Sequence, residues 1–234
     1  MKIIKTVTYW LFIICFSFLL FTSTVRFGVS NMHLYEYGFD KYHISQATGI
    51  DRTQLSGVAR RLIDYFNSKV GTPQIKVVDE YGEEFELFQE HELTHLEDVR
   101  RLFQLDYLVQ RISLAYIIIY VLLFLLWWKG RWQDLAKGIT RGCALILIPV
   151  VALGIASIFI NFEQLFIQFH YLTFGDPSAS PWMLDPSKDY LIMLFPEGFW
   201  QDIALLGGGT IAVEALLLGG IAWAIPFICK RHKR

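Results

Sequence analysis

The feature that most constrains this chain is a set of four long apolar stretches. They cover about residues 7–26, 112–128, 142–162 and 203–228. A helix needs about 20 predominantly apolar residues to cross the hydrocarbon core of a bilayer. Hydrophobic residues make up 54% and aromatic residues 16% of the 234 positions, which is too apolar for soluble domains. The sequence therefore predicts an all-α membrane protein with four transmembrane helices.

The first apolar stretch has the basic flank of a signal peptide, because Lys2 and Lys5 precede it. Its apolar run is long, however, and no small-x-small cleavage site follows it. We therefore expect residues 1–28 to be retained as a transmembrane anchor.

The segments that connect the four stretches differ in charge. The N-terminus, residues 129–141 and residues 229–234 together hold ten basic residues and one acidic residue, Asp134. Lys and Arg accumulate in cytoplasmic segments. We therefore expect both termini to be cytoplasmic and the two longer connections to be extracellular. We see no basic footprint for nucleic acid, so no nucleic-acid partner is expected.

The expected organisation follows directly from these spans and their orientation. It comprises a first transmembrane helix (1–28), an extracellular cap (29–111), a second transmembrane helix (112–128), a cytoplasmic loop (129–141), a third transmembrane helix (142–162), an extracellular interfacial segment (163–202), a fourth transmembrane helix (203–228) and a basic cytoplasmic tail (229–234). No internal repeat or Gly/Ser linker interrupts the chain, which favours a single structural unit.

The cap is predicted to be a small mixed α/β structure. Apolar residues recur at helical spacing between Asp51, a candidate N-cap, and Gly71, a candidate stop. Two short β-like runs flank the turn 79–82, which predicts a hairpin. The stretch 89–103 is again in helical register, and we expect this helix to continue toward the second span.

Residues 89–103 contain His91-Glu92-Leu93-Thr94-His95, which has the form of the H-E-x-x-H zinc-protease signature. In a zinc site both imidazoles bind the metal, Glu92 activates water, and a third ligand such as His170 or an acid comes from elsewhere. The pattern also arises by chance in many helices, and its position outside a span does not fit a membrane-embedded protease. The alternative without chemistry is the polar face of a charged helix.

The second outer segment, 163–202, is unusually aromatic and contains one histidine, His170. Its four prolines exclude one continuous helix. Most of its aromatic side chains are expected to anchor the chain at the membrane interface, as an interfacial aromatic loop. Because an imidazole titrates near neutral pH, His170 and a histidine of the cap can serve as proton donor and acceptor.

Two charged side chains lie near or within the apolar stretches. Arg26, at the outer end of the first span, can either snorkel to the lipid headgroups or bind a phosphate, a carbonyl or a developing oxyanion. Glu214 lies inside the fourth span, where an ionisable group is costly unless it has a partner. Its function stays open.

Several short motifs follow one another along the chain. They are Glu92-x-x-His95-Leu96-x-Asp98-Val99, Phe166-x-x-Phe169-His170, Trp182-x-Leu184-Asp185-Pro186, Leu191-Ile192 and Phe195-Pro196-Glu197. Together with four spans and an outer cap, this combination resembles the bacterial lipoprotein intramolecular transacylase (Lit) family over essentially the full chain.

The resemblance implies an acyltransferase that moves the sn-2 acyl chain of a diacylglyceryl-modified lipoprotein to the α-amine of the same cysteine. It implies a catalytic pair, His95 and His170, with His91 outside the family motif, and thus no metal. The expected supporting or substrate-binding residues are Arg26, Glu92, Asp98, Trp182, Asp185 and Glu197. The resemblance also implies a multi-pass protein of the bacterial cell membrane, in contact with membrane lipid, with its active site at the extracellular face.

The chemistry agrees with the residues. Transfer from an ester to an amine is downhill, so we expect no cofactor, and the chain has no phosphate-binding G-x-x-x-x-G-K-[ST] loop. One histidine is expected to act as base toward the amine, and the second, as imidazolium, to stabilise the oxyanion or protonate the leaving oxygen. Asp98, one turn after His95, is expected to orient the His95 ring. An acyl-histidine intermediate remains an alternative route.

Two other functions compete with this one. The first is a membrane-anchored zinc peptidase that uses His91, Glu92 and His95. The second is a non-enzymatic membrane partner whose cap binds another protein.

Overall fold

The structure is a computed structural model that describes residues 2–178 and 180–231, except for the side chains of residues 158 and 225–231. The helices are α1 (Lys2–Ser30), α2 (Met32–Lys41), α3 (Ile44–Thr48), α4 (Arg52–Phe66), α5 (Glu90–Leu122), α6 (Trp132–Phe159), α7 (Phe162–Phe174), α8 (Tyr190–Leu194) and α9 (Glu197–Arg231). The strands are β1 (Lys76–Val78) and β2 (Glu84–Glu86).

Four of these helices, α1, α5, α6 and α9, are long and apolar enough to cross a membrane. The predicted fold class is therefore confirmed. The helices extend beyond the apolar stretches, since α5 begins at Glu90 and continues as a π-helical turn over Leu123–Trp127. Helix α6 begins at Trp132, so most of the predicted loop 129–141 is helical. Residues 232–234 of the predicted tail lie outside the described residues.

Contacts divide the chain into two compact units. The helical unit consists of Met1–Arg26, Asp106–Ala156 and Leu206–Arg234, and the outer unit consists of Phe27–Leu105 and Ser157–Leu205. The expectation of a single unit is therefore wrong. A linker is not needed to separate the two units, because continuous helices pass from one into the other.

The helical unit buries little and packs through aromatic and small residues. Phe12 is 1% exposed, and its ring stacks on Tyr120 with centroids 4.8 Å apart. The Ser17 hydroxyl donates to the carbonyl oxygen of Gly142 at 2.8 Å. Large apolar side chains such as Ile118, which is 50% exposed, form its outer surface, as expected for a surface that faces lipid.

The predicted cap helix forms where its N-cap residue indicated. The Asp51 side chain accepts a hydrogen bond from the backbone N–H two residues later, which satisfies one of the free donors at a helix start. The predicted stop at Gly71 is wrong. Helix α4 (Arg52–Phe66) ends earlier, because Asn67 caps it and Ser68 turns into the left-handed region at φ 58°.

The predicted hairpin is confirmed. Strands β1 and β2 pair antiparallel, with Val77 opposite Phe85, and Gly82 adopts the positive φ of 86° that the turn requires. The Gln54 side chain docks the hairpin on α4, since it donates to the carbonyl oxygen and accepts from the N–H of Val78. Fully buried residues from α4, the hairpin and α5 form one core: Leu55, Val58, Leu62, Val77, Leu87, Leu96.

Helix α2 packs closely on the first turns of α9. The Phe199 ring fills the space that a Cβ on Gly38 would need, and a Cβ on Gly198 would lie 2.8 Å from the Tyr42 ring. The carboxylate of Asp202 accepts hydrogen bonds from the Lys41 ammonium at 2.6 Å and the Tyr42 hydroxyl at 2.8 Å. These contacts fix the beginning of α9 within the outer unit.

Candidate active site

Helix α5 begins with a side-chain cap. Gln89 precedes the helix, and its backbone N–H donates to the Glu92 carboxylate at 2.7 Å. A carboxylate three residues into a helix that reaches back in this way is half of a capping box. Glu92, His95 and Asp98 then follow one another at intervals of three residues along one face of the helix.

The second oxygen of Glu92 joins α5 to α8. It accepts the backbone N–H of Leu191 at 2.7 Å, and the Glu92 side chain is 0% exposed. Burial raises the pKa of Glu92, while the two N–H donors oppose that shift. The buried Glu92 carboxylate therefore connects the start of α5 to α8 by hydrogen bonds, and it does not line the cavity described below.

The two predicted histidines lie side by side. His95 on α5 and His170 on α7 are 6% and 7% exposed, and their ring centroids are 5.9 Å apart. The Phe174 ring lies edge-on to His95 at 5.1 Å, and the Phe166 ring lies 4.2 Å from His170. Both imidazoles are therefore enclosed by aromatic side chains and shielded from water.

One hydrogen bond determines the tautomer of His170. Its Nδ1 lies 2.8 Å from the backbone carbonyl oxygen of Phe166. Because a carbonyl oxygen only accepts, Nδ1 must carry the hydrogen and donate it. In the neutral ring, Nε2 then holds the lone pair and can act as a base.

Both histidines are held in the neutral form. Burial, with a smaller contribution from nearby His170, lowers the pKa of His95 to about 4, while Asp98 opposes the shift. Burial also lowers the pKa of His170, against the hydrogen bond to Phe166. Both shifts favour the neutral ring over the imidazolium.

The histidines open into an apolar cavity of about 300 Å³ in the outer unit. Its wall includes Leu96, Phe103 and Phe195. Among the described residues that line it, His95 and His170 are the ones whose side chains carry a basic nitrogen. The cavity can hold an apolar chain directly against the two imidazoles.

Trp182 forms the third side of the histidine pair. It is 7% exposed, and its ring lies 5.2 Å from His170 and 4.9 Å from Tyr171. Its indole N–H donates to the Gly175 carbonyl oxygen at 3.0 Å, so the polar edge of the ring is satisfied away from the cavity. Trp182 therefore packs directly beside the histidine pair.

Asp98 lies close to His95 but bonds to other groups. One carboxylate oxygen accepts from the Ser180 hydroxyl at 2.6 Å, and the other lies 3.5 Å from Arg101. His95 Nδ1 is buried and has no hydrogen-bond partner in the described part of the chain. The expected orienting bond from Asp98 to His95 is therefore absent within residues 2–178 and 180–231.

The side chains of the HELTH stretch do not converge. His91 Nε2 lies 2.9 Å from the carboxylate of Asp189, His95 faces the cavity, and Glu92 is bonded to backbone N–H groups. Over the described ranges, no three His, Cys, Asp or Glu side chains are grouped as metal ligands would be. This geometry does not favour the zinc peptidase.

Three of the remaining predicted residues are Asp185, Glu197 and Arg26. Asp185 accepts the N–H and the hydroxyl of Ser187, which closes a turn, and Glu197 is an exposed residue in the first turn of α9. Arg26 belongs to the helical unit, where it donates to the Gln110 side chain at 2.9 Å.

Glu214 also belongs to the helical unit. It accepts a hydrogen bond from the Thr24 hydroxyl at 3.4 Å, which supplies the partner that a carboxyl group in a span needs.

Sequence reasoning did not identify three groups that contact the predicted residues: the Phe166 carbonyl, Ser180 and Asp189. A backbone carbonyl leaves no residue-specific signal, and Ser180 stands in a loop without periodicity. Asp189 was detectable in part, because an Asp directly before the apolar run of α8 is typical of a helix start. It accepts the backbone N–H of Asp185 at 2.7 Å in addition to its contact with His91.

Four membrane-length apolar helices and a buried histidine pair in an apolar cavity define a class: multi-pass membrane proteins equipped for acid–base chemistry on an apolar substrate. The family model for the lipoprotein intramolecular transacylase Lit matches residues 10–200. The chain belongs to this family and is an acyltransferase, a lipoprotein intramolecular transacylase.

Solved structures show the same fold. The membrane integral lipoprotein intramolecular transacylase Lit from Bacillus cereus is 21% identical, with a TM-score of 0.78, and the match covers 100% of this chain and 99% of that chain. A structure of the same Bacillus cereus protein with a histidine-to-arginine mutation is 20% identical, with a TM-score of 0.77 and coverage of 100% and 96%. A third, with a histidine-to-alanine mutation, has a TM-score of 0.76 at 20% identity, with coverage of 100% and 97%. No curated protein sequence matches the chain significantly.

Proposed function

We propose that the chain transfers the sn-2 acyl chain of a diacylglyceryl-modified lipoprotein to the α-amine of its N-terminal cysteine, with His95 and His170 as the catalytic residues. The observation that carries this proposal is the apolar cavity in which these two imidazoles are the basic side chains among the described lining residues. An acyl chain fits the apolar wall, and the reacting ester and amine need proton transfer but no redox group.

His170 is the base. Its Nδ1–H is committed to the Phe166 carbonyl, which leaves the Nε2 lone pair free. The substrate amine has a pKa of roughly 7.7 to 8.0, and the nitrogen must lose a proton as it attacks the ester carbonyl. Because burial lowers the pKa of His170, its ring is already neutral when the amine binds.

His95 donates. As a neutral imidazole it still carries one N–H, which can bond to the oxyanion of the tetrahedral intermediate. A C–N bond forms and the C–O bond to the glyceryl sn-2 position breaks. The proton taken from the amine by His170 ends on the released glyceryl oxygen, so the two rings are regenerated.

No nucleophilic side chain is needed for this route. Both reacting groups belong to one substrate molecule, so confinement in the cavity raises their effective molarity. The aromatic side chains that enclose the pair, Phe166, Phe174 and Trp182, exclude the water that would otherwise hydrolyse the ester.

The test uses a diacylated reporter lipoprotein that is co-expressed in a host lacking N-acylating enzymes. Intramolecular transfer leaves the total mass unchanged, so the N-terminal peptide must be fragmented by tandem mass spectrometry. We expect an N-acyl, lyso-glyceryl peptide with the wild type and none with His95→Ala or His170→Ala. His33→Ala is the matched control, because the His33 side chain is 91% exposed on α2.

The competing functions predict other results. A zinc peptidase would lose activity with a chelator and would not generate the N-acyl peptide. A non-enzymatic partner would keep its phenotype in both histidine variants. A well-expressed wild type that leaves the reporter amine free would refute the transacylase.

We also propose that both termini are cytoplasmic and that the histidine pair works at the extracellular face, in contact with membrane lipid and without a metal. The excess of ten basic over one acidic residue in the inner segments supports this orientation. Reporter fusions at the C-terminus and in the hairpin turn 79–82 should report opposite sides of the membrane. The same side for both fusions would refute the topology.

A further inference from the structure

Ser180 stands in the loop between α7 and α8, outside every motif that suggested a function. It is 8% exposed, and its hydroxyl donates to the Asp98 carboxylate at 2.6 Å. This short bond to a charged acceptor is of the strong kind. It attaches the loop to helix α5 one turn beyond His95.

The backbone couples the position of Ser180 to that of Trp182. Pro181 separates the two residues and fixes one of the intervening backbone dihedrals. The backbone N–H of Trp182 also donates to the Ser180 carbonyl oxygen at 2.9 Å. A shift of Ser180 would therefore be transmitted to the backbone of Trp182, whose ring packs 5.2 Å from His170.

These contacts link the two histidines through the loop between α7 and α8. Helix α5 carries both His95 and Asp98, Asp98 holds Ser180, Ser180 places Trp182, and Trp182 packs on His170. His170 in turn faces His95 across 5.9 Å. The separation of the two rings is thus set from the loop side as well as by helix packing.

We propose that Ser180 is a positioning residue for the transacylation, and that the function of Asp98 is to hold Ser180 rather than to orient the His95 ring. This inference rests on the proposed function of the histidine pair. The hydroxyl–carboxylate bond keeps Trp182 against His170, so that the base stays at its working distance from the bound ester and amine. Neither Ser180 nor Asp98 needs to touch the substrate.

The expected effects follow from the loss of one hydrogen bond to a charged group. Ser180→Ala should lower the rate of N-acyl product formation by roughly 10- to 100-fold. Asp98→Ala should lower it at least as far, because it also removes the charge that opposes the pKa shift of His95. The double variant should be no slower than Asp98→Ala, because both substitutions remove the same bond. Asp98→Asn keeps an acceptor oxygen and should retain clearly more activity than Asp98→Ala.

Ser178→Ala is the matched control. Ser178 lies in the same loop, but it is exposed and its hydroxyl bonds to Asp176 rather than to α5. We expect it to react at the wild-type rate. Thermal midpoints of all variants in detergent separate loss of positioning from loss of fold.

The experiment compares initial rates on a synthetic diacylglyceryl lipopeptide, with the N-acyl product measured by tandem mass spectrometry. Full activity of a folded Ser180→Ala variant would overturn the inference. So would a double variant slower than both singles by the product of their effects, or an inactive Asp98→Asn beside an active Ser180→Ala. Failure of the proposed function looks different, because the wild type itself would then give no N-acyl product.

Discussion

The structure predicts that Glu92→Gln weakens the fold rather than removing a catalytic group. The Glu92 carboxylate is fully buried and accepts two backbone N–H groups, from Gln89 and Leu191, each at 2.7 Å. A glutamine offers one oxygen and one NH₂ group, so one of the two donors would face another donor. One hydrogen bond is lost and one buried N–H is left unsatisfied.

The magnitude follows from these contacts. A hydrogen bond to a charged group contributes about 1.5–3 kcal/mol, and a buried donor without a partner costs about 1–3 kcal/mol. Burial of the charged carboxylate, which raises the pKa of Glu92, offsets part of the stabilisation that these two hydrogen bonds provide. We therefore expect Glu92→Gln to lower the free energy of unfolding by about 2 kcal/mol, or the thermal midpoint by roughly 4–8 °C for a chain of this size.

The assay is thermal unfolding of the purified protein in detergent, combined with the product rate normalised to folded protein. Glu90→Gln is the control, because Glu90 lies in the same first turn of α5 but is exposed. It should change the stability by no more than about 0.5 kcal/mol. A Glu92→Gln protein with wild-type stability and no activity would refute this structural role and support direct chemistry by Glu92.

Two further predictions concern other parts of the outer unit. The pKa of His95 falls from its usual value to about 4, so the folded state disfavours the protonated ring. The contribution of the neutral ring to the free energy of unfolding is therefore fully present above about pH 6.5. It is lost as the pH falls toward 4, by up to about 3 kcal/mol. Unfolding measured from pH 7 to 4 should show this slope, and His95→Gln should show a shallower one; an unchanged slope would contradict the assignment. Gly38→Ala should destabilise the protein by about 1–3 kcal/mol, because its Cβ would overlap the Phe199 ring. Gly57→Ala, in a helix with open space around the new Cβ, should stabilise it by up to about 1 kcal/mol; equal effects of the two substitutions would contradict the close packing of α2 on α9.

The architecture could be predicted from the sequence alone, because the signals involved are local. Four apolar stretches specify four long helices wherever they pack, since lipid leaves the backbone no other way to satisfy its hydrogen bonds. The Asp51 cap and the Gly82 turn are equally local, and both formed as predicted. The end of α4 was misjudged, because several residues before Gly71 could also end the helix.

The candidate site was predicted only as a set of residues. Motif resemblance selected His95 and His170 from six histidines, but spacing along α5 suggested the wrong partner for Asp98. A one-turn separation shows that two side chains share a helix face, and it does not show which acceptor a third segment will supply. Ser180, which is 82 residues from Asp98 in sequence, supplies that partner.

The contacts of the histidine pair, by contrast, depend on the tertiary structure. The hydrogen bond to the Phe166 carbonyl determines the tautomer of His170. Burial lowers the pKa of both imidazoles and so favours their neutral form. Desolvation and hydrogen bonding depend on which segments surround a group, and these segments are distant in sequence. The sequence therefore determined which helices exist and which residues are candidates, while packing in the outer unit decided which atom can accept a proton.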